Sequence, residues 1–450
     1  MTQLDDLTRP AGDDDVVGGV RARLVAAPAS TAEASALVKA AAGLTVVVRG
    51  GATKIDWGTP PRALDLIIDT HRLAGVREHA AGDLITVLGA GTRLDDLDLP
   101  GQQLALDSPL PGATIGGTVA TNVSGPRRVL YGTARDLLIG IEVVRADGTV
   151  TRSGGKVVKN VAGYDLGKLY TGSYGTLGLI TECAFRLHPR PFASAFVTAT
   201  APSPAAAGRL VAAVLDAQVV PSAVEVNAPP SGDLEVAVLV EGTPEGVRHR
   251  AEVLAELLSP APFALSAYRQ HPSWWGTYPW CPGDVGIKLT ASLSRVPDLF
   301  TAALDTSLPL TIRGSAASGV LYAGLPGTYL CAEQSEPERN ASHPPAQAAD
   351  QGPAPGEAAG QPAGGAPGRP AGGEYECAEQ RGEEVGHAVA RLREAATRAG
   401  GHAVVLTAPA TVRDRLDMWG PVGGLELMRR VKDQFDPQGL FAPGRFVGGI

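Results

Sequence analysis

Three glycine-containing segments could contact a ligand with backbone rather than with side chains. The first, residues 49–54, follows the apolar run 45–48, which predicts a buried strand. Glycine allows a turn with positive φ, and successive amides in such a turn bind anions. A phosphate or pyrophosphate group is the expected ligand, although Gly50 and Gly51 taken alone fit a tight turn at a strand end better.

The other two segments repeat this pattern further along the chain. Residues 111–118 combine prolines and glycines with small hydroxyl side chains, and residues 172–178 carry three more glycines. Such a stretch can lie flat against a planar ring. We expect the backbones of Gly116 and Gly117 to approach a cofactor too closely for any Cβ.

These motifs resemble the FAD-binding flavoproteins of the vanillyl-alcohol-oxidase type (PCMH-type), and among them most the E subunits of glycolate oxidase (glycolate dehydrogenase). The motifs are residues 48–53, 112–117, 124–128, 158–166, 172–178 and 435–445. Residues 124–128 and 159–165 discriminate best, whereas the other glycine motifs are shared across the superfamily. The resemblance covers residues 25–192 and 411–446 strongly, and 263–330 loosely.

The resemblance implies an α+β fold, with a two-subdomain PCMH-type FAD-binding domain and an α/β cap domain. It implies FAD as cofactor, bound non-covalently because residues 49–55 contain no histidine or cysteine for attachment. The residues expected to bind FAD are Arg49, Gly50, Gly51, Ala52, Thr53, Lys54, Pro111, Gly112, Ala113, Thr114, Gly116, Gly117, Thr118, Thr121, Ser124, Gly132, Gly172, Ser173, Gly175, Gly178, Ile180 and Arg445.

The chain divides into four parts on these patterns. An acidic tail (1–15) precedes the FAD-binding domain (16–192, subdomain boundary near 82), the cap (193–410) and a return to the FAD domain (411–450). Helices are predicted at 31–42, 204–217 and 244–258, and strands at 195–200, 223–226, 234–239 and 328–331. Residues 333–373 have almost no aliphatic bulk and are expected to form a disordered insertion.

Composition excludes several classes of protein. A net charge of −8 argues against a nucleic-acid partner. No apolar run is long enough to span a bilayer, and the acidic N-terminus does not resemble a signal peptide. Four cysteines without a C-x-x-C pair predict neither an iron–sulfur cluster nor a disulfide framework, and no metal site is expected. A cytoplasmic location follows, with peripheral attachment to the inner membrane face through a complex as the alternative.

Catalysis is harder to assign. Oxidation of a 2-hydroxy acid needs a proton acceptor and a cation for the carboxylate. The catalytic sister subunit of the resembled complex carries a histidine pair around a Gly-Asp-Gly-Asn stretch, which this sequence lacks. The remaining candidates are His271, beside the aromatic residues 274–280, and the cations Lys288 and Arg313. The alternative interpretation is the commoner one in each case, because aromatic clusters more often form the core of a cap and single cations more often lie at the surface.

Two functions therefore remain open. The first is an accessory FAD-binding subunit in a complex that oxidises glycolate or D-lactate, with a catalytic flavoprotein subunit and an iron–sulfur subunit as partners. The second is a self-sufficient FAD-dependent oxidoreductase acting on a small hydroxy acid or a sugar-like alcohol.

Overall fold

The computed structural model describes residues 4–156, 164–258, 271–331 and 372–450. Within these residues the chain forms two smaller sheets, which carry the glycine segments, and one seven-stranded sheet covered by helices. The expected α+β fold class is confirmed. The insertion expected at 333–373, except its last two residues, and most of the motif at 158–166 lie outside the described residues.

The first sheet is built around two parallel strand pairings. Its strands, in spatial order, are Arg9–Pro10, Leu24–Ala26, Leu66–Asp69 and Val46–Arg49. Val25 and Val47 both lie opposite Ile67 in parallel register. Parallel strands need a crossover connection, provided between the second and fourth of these strands by the helix Thr31–Ala40. Ser30 caps this helix by accepting a hydrogen bond from the amide of the third helical residue.

The second sheet is antiparallel. Its strands, in spatial order, are Val150–Gly154, Leu138–Val144, Leu179–Arg186, Ile85–Gly89 and Val76–Ala80. Because Val76–Ala80 forms a hairpin with Ile85–Gly89, the two sheets divide between residues 69 and 76 rather than near residue 82. The sequence hides this strand, since Arg77, Glu78 and His79 break the apolar pattern that predicts strands.

Short helices, two-residue strands and 3-10 turns connect the longer elements of the chain. The helices are Ile115–Thr121, Arg128–Tyr131, Ala134–Leu137 and Gly167–Tyr170, and the two-residue strand pairs are Val16–Val17 with Val20–Arg21 and Gln102–Gln103 with His188–Pro189. Single turns of 3-10 helix occur at Leu4–Leu7, Ala81–Asp83, Leu94–Asp96, Leu293–Arg295, Ala316–Ser318 and Val447–Gly449.

The seven-stranded sheet, called the cap sheet below, has one apolar and one polar face. Its strands, in spatial order, are Ala193–Ala201, Leu234–Gly242, Ala223–Ala228, Thr311–Ser315, Val320–Leu325, Val285–Thr290 and Ala403–Thr407. Its apolar face packs in one core with the helices Pro204–Asp216, Pro244–Leu257, Val296–Leu304 and Gly372–Arg398. Because side chains alternate between faces, Val224 and Val226 lie in this core while Glu225 and Asn227 lie on the other face.

One strand prediction is wrong. Residues 328–331 form a short helix, Thr328–Cys331, after the strand Val320–Leu325. The chain turns at Pro326, whose carbonyl accepts a hydrogen bond from the amide of Tyr329 at 3.0 Å. A β-branched and aromatic composition favours strands only where a neighbouring strand can pair.

The last residues pack against the first sheet. After the short helix Ala410–Arg413, the helix Leu425–Phe435 leads into a segment in which Phe441 is fully buried in the core of the first sheet. The amide of Val46 donates to the carbonyl of Leu440 at 2.8 Å. Among the described residues no helix has both the length and the apolar character needed to cross a membrane.

Candidate functional site

The glycine segments meet in one cleft, called the glycine cleft below. Its volume is about 730 Å³, counting space open to solvent. The sequence-predicted residues that line it are Gly50, Gly51, Ala52, Thr53, Lys54, Thr114, Gly116, Gly117, Thr121, Gly175, Gly178, Ile180 and Arg445. Its other described lining residues, which were not among the predicted FAD-binding residues, are Val47, Val48, Ile55, Thr70, Ala90, Ala120 and Tyr174.

Close backbone packing explains why the cleft needs glycine. A Cβ on Gly50 would lie 2.2 Å from Thr114 Oγ1, and one on Gly51 would lie 2.0 Å from the carbonyl oxygen of Gly112. These glycines let the first two segments touch. A Cβ on Gly116 would lie 2.9 Å from the Cβ of Ala90. Packing against Ala90 is therefore enough to require glycine at position 116, without the close approach to a cofactor that we expected from the sequence.

A second, more open cleft continues from the first. It has a volume of about 1310 Å³, counting space open to solvent, and shares Gly50, Gly51 and Thr114 with the glycine cleft. Pro111 and Gly112 line this extension. The combined site is therefore elongated, as an extended dinucleotide requires.

Two buried cations are among the described residues that line the glycine cleft, and none of those residues is acidic. The ammonium group of Lys54 donates to Thr53 Oγ1 at 2.9 Å, and burial lowers its pKa to about 8. Arg445 donates through Nη2 to the carbonyls of Ile55 and Trp57, and burial lowers its pKa to about 10. Within the described residues Arg445 Nη1 has no hydrogen-bond partner.

These charges identify the kind of ligand. Burying an unpaired cation is costly, and buried polar atoms are almost always satisfied. A bound anion would satisfy both Lys54 and Arg445, beside backbone loops suited to phosphate. The cleft thus fits the pyrophosphate of a dinucleotide.

The remaining predicted residues lie elsewhere. Arg49 forms ion pairs with Asp15 at 2.8 Å and Asp69 at 2.9 Å, so its guanidinium group is engaged with protein. Residues that line neither cleft are Ala113, Thr118, Gly132, Gly172 and Ser173. Ser124 lines a separate pocket.

That pocket, called the polar pocket below, lies between residues 124–128 and the polar face of the cap sheet. Its volume is about 350 Å³, counting space open to solvent. Its lining includes Ser124, Gly125, Arg128, Glu225, Trp274, Thr277, Tyr278, Arg313, Ser315 and Tyr322. The cap residues converge by strand register: Glu225 lies opposite Ser315, and Arg313 lies opposite Tyr322.

Arg128 joins the two sides of the polar pocket. Its Nε donates to the carbonyl of Gly125 at 3.0 Å, and its Nη2 donates to Tyr322 OH at 3.3 Å. Burial alone would lower the pKa of Arg128, but Tyr322 and Glu225 raise it above its usual value. Burial raises the pKa of Glu225 to about 8, despite the opposing effect of Arg128.

The structure separates the three weak catalytic candidates. Arg313 lines the polar pocket and donates to Thr277 Oγ1 at 2.8 Å. Lys288 lies opposite Tyr322 in the sheet but does not line the pocket. His271 is exposed, with its ring 6.1 Å from that of Phe196, and it does not line the pocket either.

Aromatic side chains separate the glycine cleft from the polar pocket. Tyr278 packs edge-on against Trp57 at 5.7 Å and stacks on Trp280 at 4.4 Å between ring centroids. Tyr322 belongs to the same cluster, and Tyr174, which lines the glycine cleft, packs against it. The aromatic residues at 274–280 thus take both expected roles, because some of them line the polar pocket and some belong to a buried aromatic cluster.

Sequence reasoning missed Glu225 and Tyr322. The available signal was a carboxylate and an amide, Glu225 and Asn227, inside an otherwise apolar strand. Such residues are rarely buried without a partner, so they indicate a polar contact. Their partners lie on strands 90 residues away in sequence, and only the sheet register brings them together.

The fold and the two clefts define a protein that binds a large anionic cofactor between two sheets. Residues 22–154 match the FAD binding domain family, and residues 414–446 match the C-terminal domain of FAD linked oxidases. These two parts of the chain are thus similar to FAD-linked oxidases, and FAD is the cofactor of the protein.

Relatives of known name share part of the chain. The D-lactate dehydrogenase of Archaeoglobus fulgidus is 37% identical over 173 residues, 37% of this chain and 39% of that protein. Glycolate oxidase subunit GlcD of Bacillus subtilis is 33% identical over 208 residues, which are 45% of this chain and 44% of that protein. Glycolate oxidase subunit GlcE of Escherichia coli is 39% identical over 155 residues, which are 33% of this chain and 44% of that protein. The chain therefore spans less than half the length of these relatives.

Solved structures share the fold over nearly the whole chain. BBE-like 1 of Physcomitrella patens has a TM-score of 0.63 at 14% identity and covers 99% of both chains. An alkyldihydroxyacetonephosphate synthase has a TM-score of 0.61 at 16% identity, covering 94% of this chain and 77% of its own. At this identity the likeness concerns the fold alone.

Proposed function

We propose that this chain is the FAD-binding, accessory subunit of a complex that oxidises small 2-hydroxy acids, with glycolate and D-lactate as the candidate substrates. Its partners would be a catalytic flavoprotein subunit and an iron–sulfur subunit. The observation that carries the proposal is the glycine cleft. Lys54 and Arg445 are buried there, none of the described lining residues is acidic, and Arg445 Nη1 has no hydrogen-bond partner among the described residues, although Asp56 acts on the charge of Arg445 from outside the lining. Similarity to two glycolate oxidase subunits supports the substrate class.

The residues of the glycine cleft would bind the cofactor, which when bound can accept electrons from a hydroxy acid or relay them. Lys54 and Arg445 would neutralise its phosphates, and the backbone of residues 50–53 would supply amide donors. The aromatic group around Trp57 and Tyr278 would exclude water from that side. The cytoplasmic location, with attachment to a membrane only through the complex, belongs to the same proposal.

Two measurements test this function. Acid precipitation of the purified protein should release flavin into the supernatant, because the glycine cleft would hold it without a covalent bond; flavin in the pellet, or none, would contradict the proposal. The isolated chain should show no anaerobic bleaching with glycolate or D-lactate. With both partner subunits added it should support reduction of a dye.

A second candidate is a self-sufficient FAD-dependent oxidoreductase acting on a small hydroxy acid or a sugar-like alcohol. The polar pocket favours it, because Arg128, Arg313 and Glu225 provide both cations and a titratable carboxyl group in one cavity. Rapid anaerobic bleaching of the isolated chain by glycolate would select this candidate and reject the accessory role.

A further inference from the structure

The helix Pro204–Asp216, called the groove helix below, borders an open and largely apolar groove on the outside of the cap. The opposite wall is the helix Val296–Leu304 with the 3-10 turn before it, and the floor consists of side chains of the cap core. On the rim, Leu215 is 39% exposed and Leu293 is 49% exposed. Exposed apolar side chains that border one groove indicate a surface that binds another molecule.

The groove helix carries two charged residues, Arg209 and Asp216, and neither has a partner among the described residues. Both are exposed. Within the helix they cannot form ion pairs, because the positions three and four residues away are all alanine. Asp216 is also the last residue of the helix, where the helix dipole disfavours a negative charge. A cation from another molecule would therefore stabilise this helix end.

The spacing of the two charges makes this surface self-complementary. Seven residues span about two helical turns, so Arg209 and Asp216 lie on one face of the helix, about 10 Å apart along its axis. A second groove helix that packs against this face in the antiparallel direction brings its Asp216 opposite Arg209, and its Arg209 opposite Asp216. Ala205 and Ala212 are exposed on the same face, and such small side chains allow two helix axes to approach closely.

We infer that the groove helix is the interface of a symmetric dimer of this chain, in which the two groove helices pack antiparallel about a two-fold axis near Ala212. Two ion pairs between Arg209 and Asp216 flank the axis, and Leu215 and Leu293 of each copy become buried. The same patch serves both copies, as a two-fold interface requires. The dimer involves the cap alone, so it does not depend on which of the two proposed functions is correct.

The size of this interface predicts how tightly the dimer forms. The groove helix has 13 residues and the turn beside the groove has three, so the contact is at the small end of specific protein interfaces. We therefore expect a dissociation constant in the micromolar range. The chain should be a monomer when dilute and a dimer when concentrated.

The test is sedimentation velocity of the FAD-loaded chain over a range of concentrations, with charge-reversal variants. Arg209→Glu and Asp216→Arg should each weaken the dimer about tenfold or more, because each reversal brings like charges together at both ends of the interface. An equimolar mixture of the two variants should form dimers again. In the mixed dimer both contacts join opposite charges, which holds only for antiparallel packing.

Arg248→Glu is the matched control, because Arg248 lies on another helix in an exposed ion pair with Glu252 at 3.7 Å. This variant should dimerise like the wild type, and thermal unfolding should show that every variant keeps its fold. A wild type that stays monomeric, a dimer that both reversals leave unchanged, or a mixture that does not associate would each overturn the inference. Occupation of the groove by the proposed flavoprotein partner instead of a second copy would also overturn it; the reversals would then weaken that complex, and the chain alone would not dimerise.

Discussion

At the scale of single residues, the unusual feature is positive charge buried without a nearby carboxylate. Lys54 is only 7% exposed, and its ammonium group donates a hydrogen bond to the neutral hydroxyl of Thr53. Desolvation makes the charged form of such a group unfavourable in the FAD-free protein. An anion beside the group would make the charged form favourable. The charge of Lys54 therefore lowers the stability of the FAD-free fold and raises the affinity for the cofactor.

Lys54→Met should therefore change two properties in opposite directions. The FAD-free variant should be as stable as the wild type or more stable, because a buried charge is replaced by an apolar side chain of similar shape. FAD should bind about tenfold or more weakly, because one charged contact is lost. Chemical unfolding of the flavin-free protein and flavin titration measure the two effects; a fall in both would show that Lys54 is a structural residue.

The lowered pKa of Lys54 also predicts how the stability of the FAD-free protein depends on pH. The pKa of Lys54 is about 8 when folded, against 10.5 for the unperturbed side chain. Between these values the unfolded state binds more protons, so the contribution of Lys54 makes stability rise with pH. The rise is about 3 kcal/mol at most, at 1.36 kcal/mol per pKa unit, and it should be absent in Lys54→Met.

Glu225 predicts a second pH effect. Its pKa of about 8 reflects burial, opposed by Arg128 and reinforced by Asp107, and the pocket also holds Arg313 and the tyrosines at 278 and 322. Between 4.5, the usual pKa of a glutamate, and about 8, the folded state binds more protons than the unfolded state, so the contribution of Glu225 makes stability fall as pH rises. Chemical unfolding at several pH values in this range should show the fall in the wild type and not in Glu225→Gln; a fall that persists in the variant would assign it to another group.

At the scale of elements, one buried ion pair joins the C-terminal helix to the glycine loop. Lys432 donates to Asp436 at 2.6 Å and to the carbonyls of Thr176 at 2.8 Å and Phe441 at 2.9 Å. Asp436 in turn accepts from the backbone amides of residues 440 and 441. These contacts hold the loop 172–178, which lines the glycine cleft, against residues from the end of the chain.

Lys432→Met should unfold more easily and retain less FAD. Removing one partner of a buried ion pair typically costs about 3–5 kcal/mol, because the other charge stays buried. Thermal unfolding and flavin content measure the two losses. Arg398→Met is the control, since its ion pair with Glu394 is exposed and should change stability by less than about 1 kcal/mol. Similar losses in both variants would contradict a special role for Lys432.

The helices that the sequence predicted best begin with a capping residue followed by proline. The helices predicted at 204–217 and 244–258 are confirmed as Pro204–Asp216 and Pro244–Leu257, with Ser203 and Thr243 as their caps. Local signals sufficed there because capping and amphipathic spacing are local properties. The helix Thr328–Cys331 and the charged strand Val76–Ala80 were not predicted, because tertiary contacts rather than local sequence determine the structure of both segments.

The difference between local signals and tertiary contacts also explains which of the two sites the sequence predicted. The glycine loops of the cofactor cleft are short, contiguous motifs, and most of their residues were predicted directly. The polar pocket is assembled from Arg128, Glu225, Arg313 and Tyr322, which lie on separate elements and carry no shared motif. Their proximity depends on strand register and on how the cap sheet meets the FAD-binding part.

At the scale of the whole molecule, the two sites depend differently on that contact. The described lining of the glycine cleft comes from the FAD-binding part, including Arg445, whereas the polar pocket needs residues from both sides. Glu241 of the cap sheet, with a side chain only 8% exposed, lies 3.6 Å from Arg127 and accepts a hydrogen bond from Tyr131 at 3.3 Å. This contact joins Arg127 and Tyr131, which lie in sequence on either side of Arg128, to the cap sheet.

Glu241→Ala should therefore lower the stability of the fold while FAD content stays unchanged. Loss of the carboxylate leaves the Arg127 guanidinium group with Asp107 at 2.6 Å and Gln103 at 2.6 Å, and it releases Tyr131, so the short helix Arg128–Tyr131 loses this contact with the cap sheet and keeps the hydrogen bond from Arg128 to Tyr322. Truncating one partner of a mostly buried contact should cost about 1–3 kcal/mol. Thermal unfolding and flavin absorbance measure the two properties, with the exposed Glu252→Ala as control. Equal stability of Glu241→Ala and the control would show that this contact does not hold the cap sheet against the FAD-binding part, and loss of FAD in Glu241→Ala would show that the glycine cleft also depends on it.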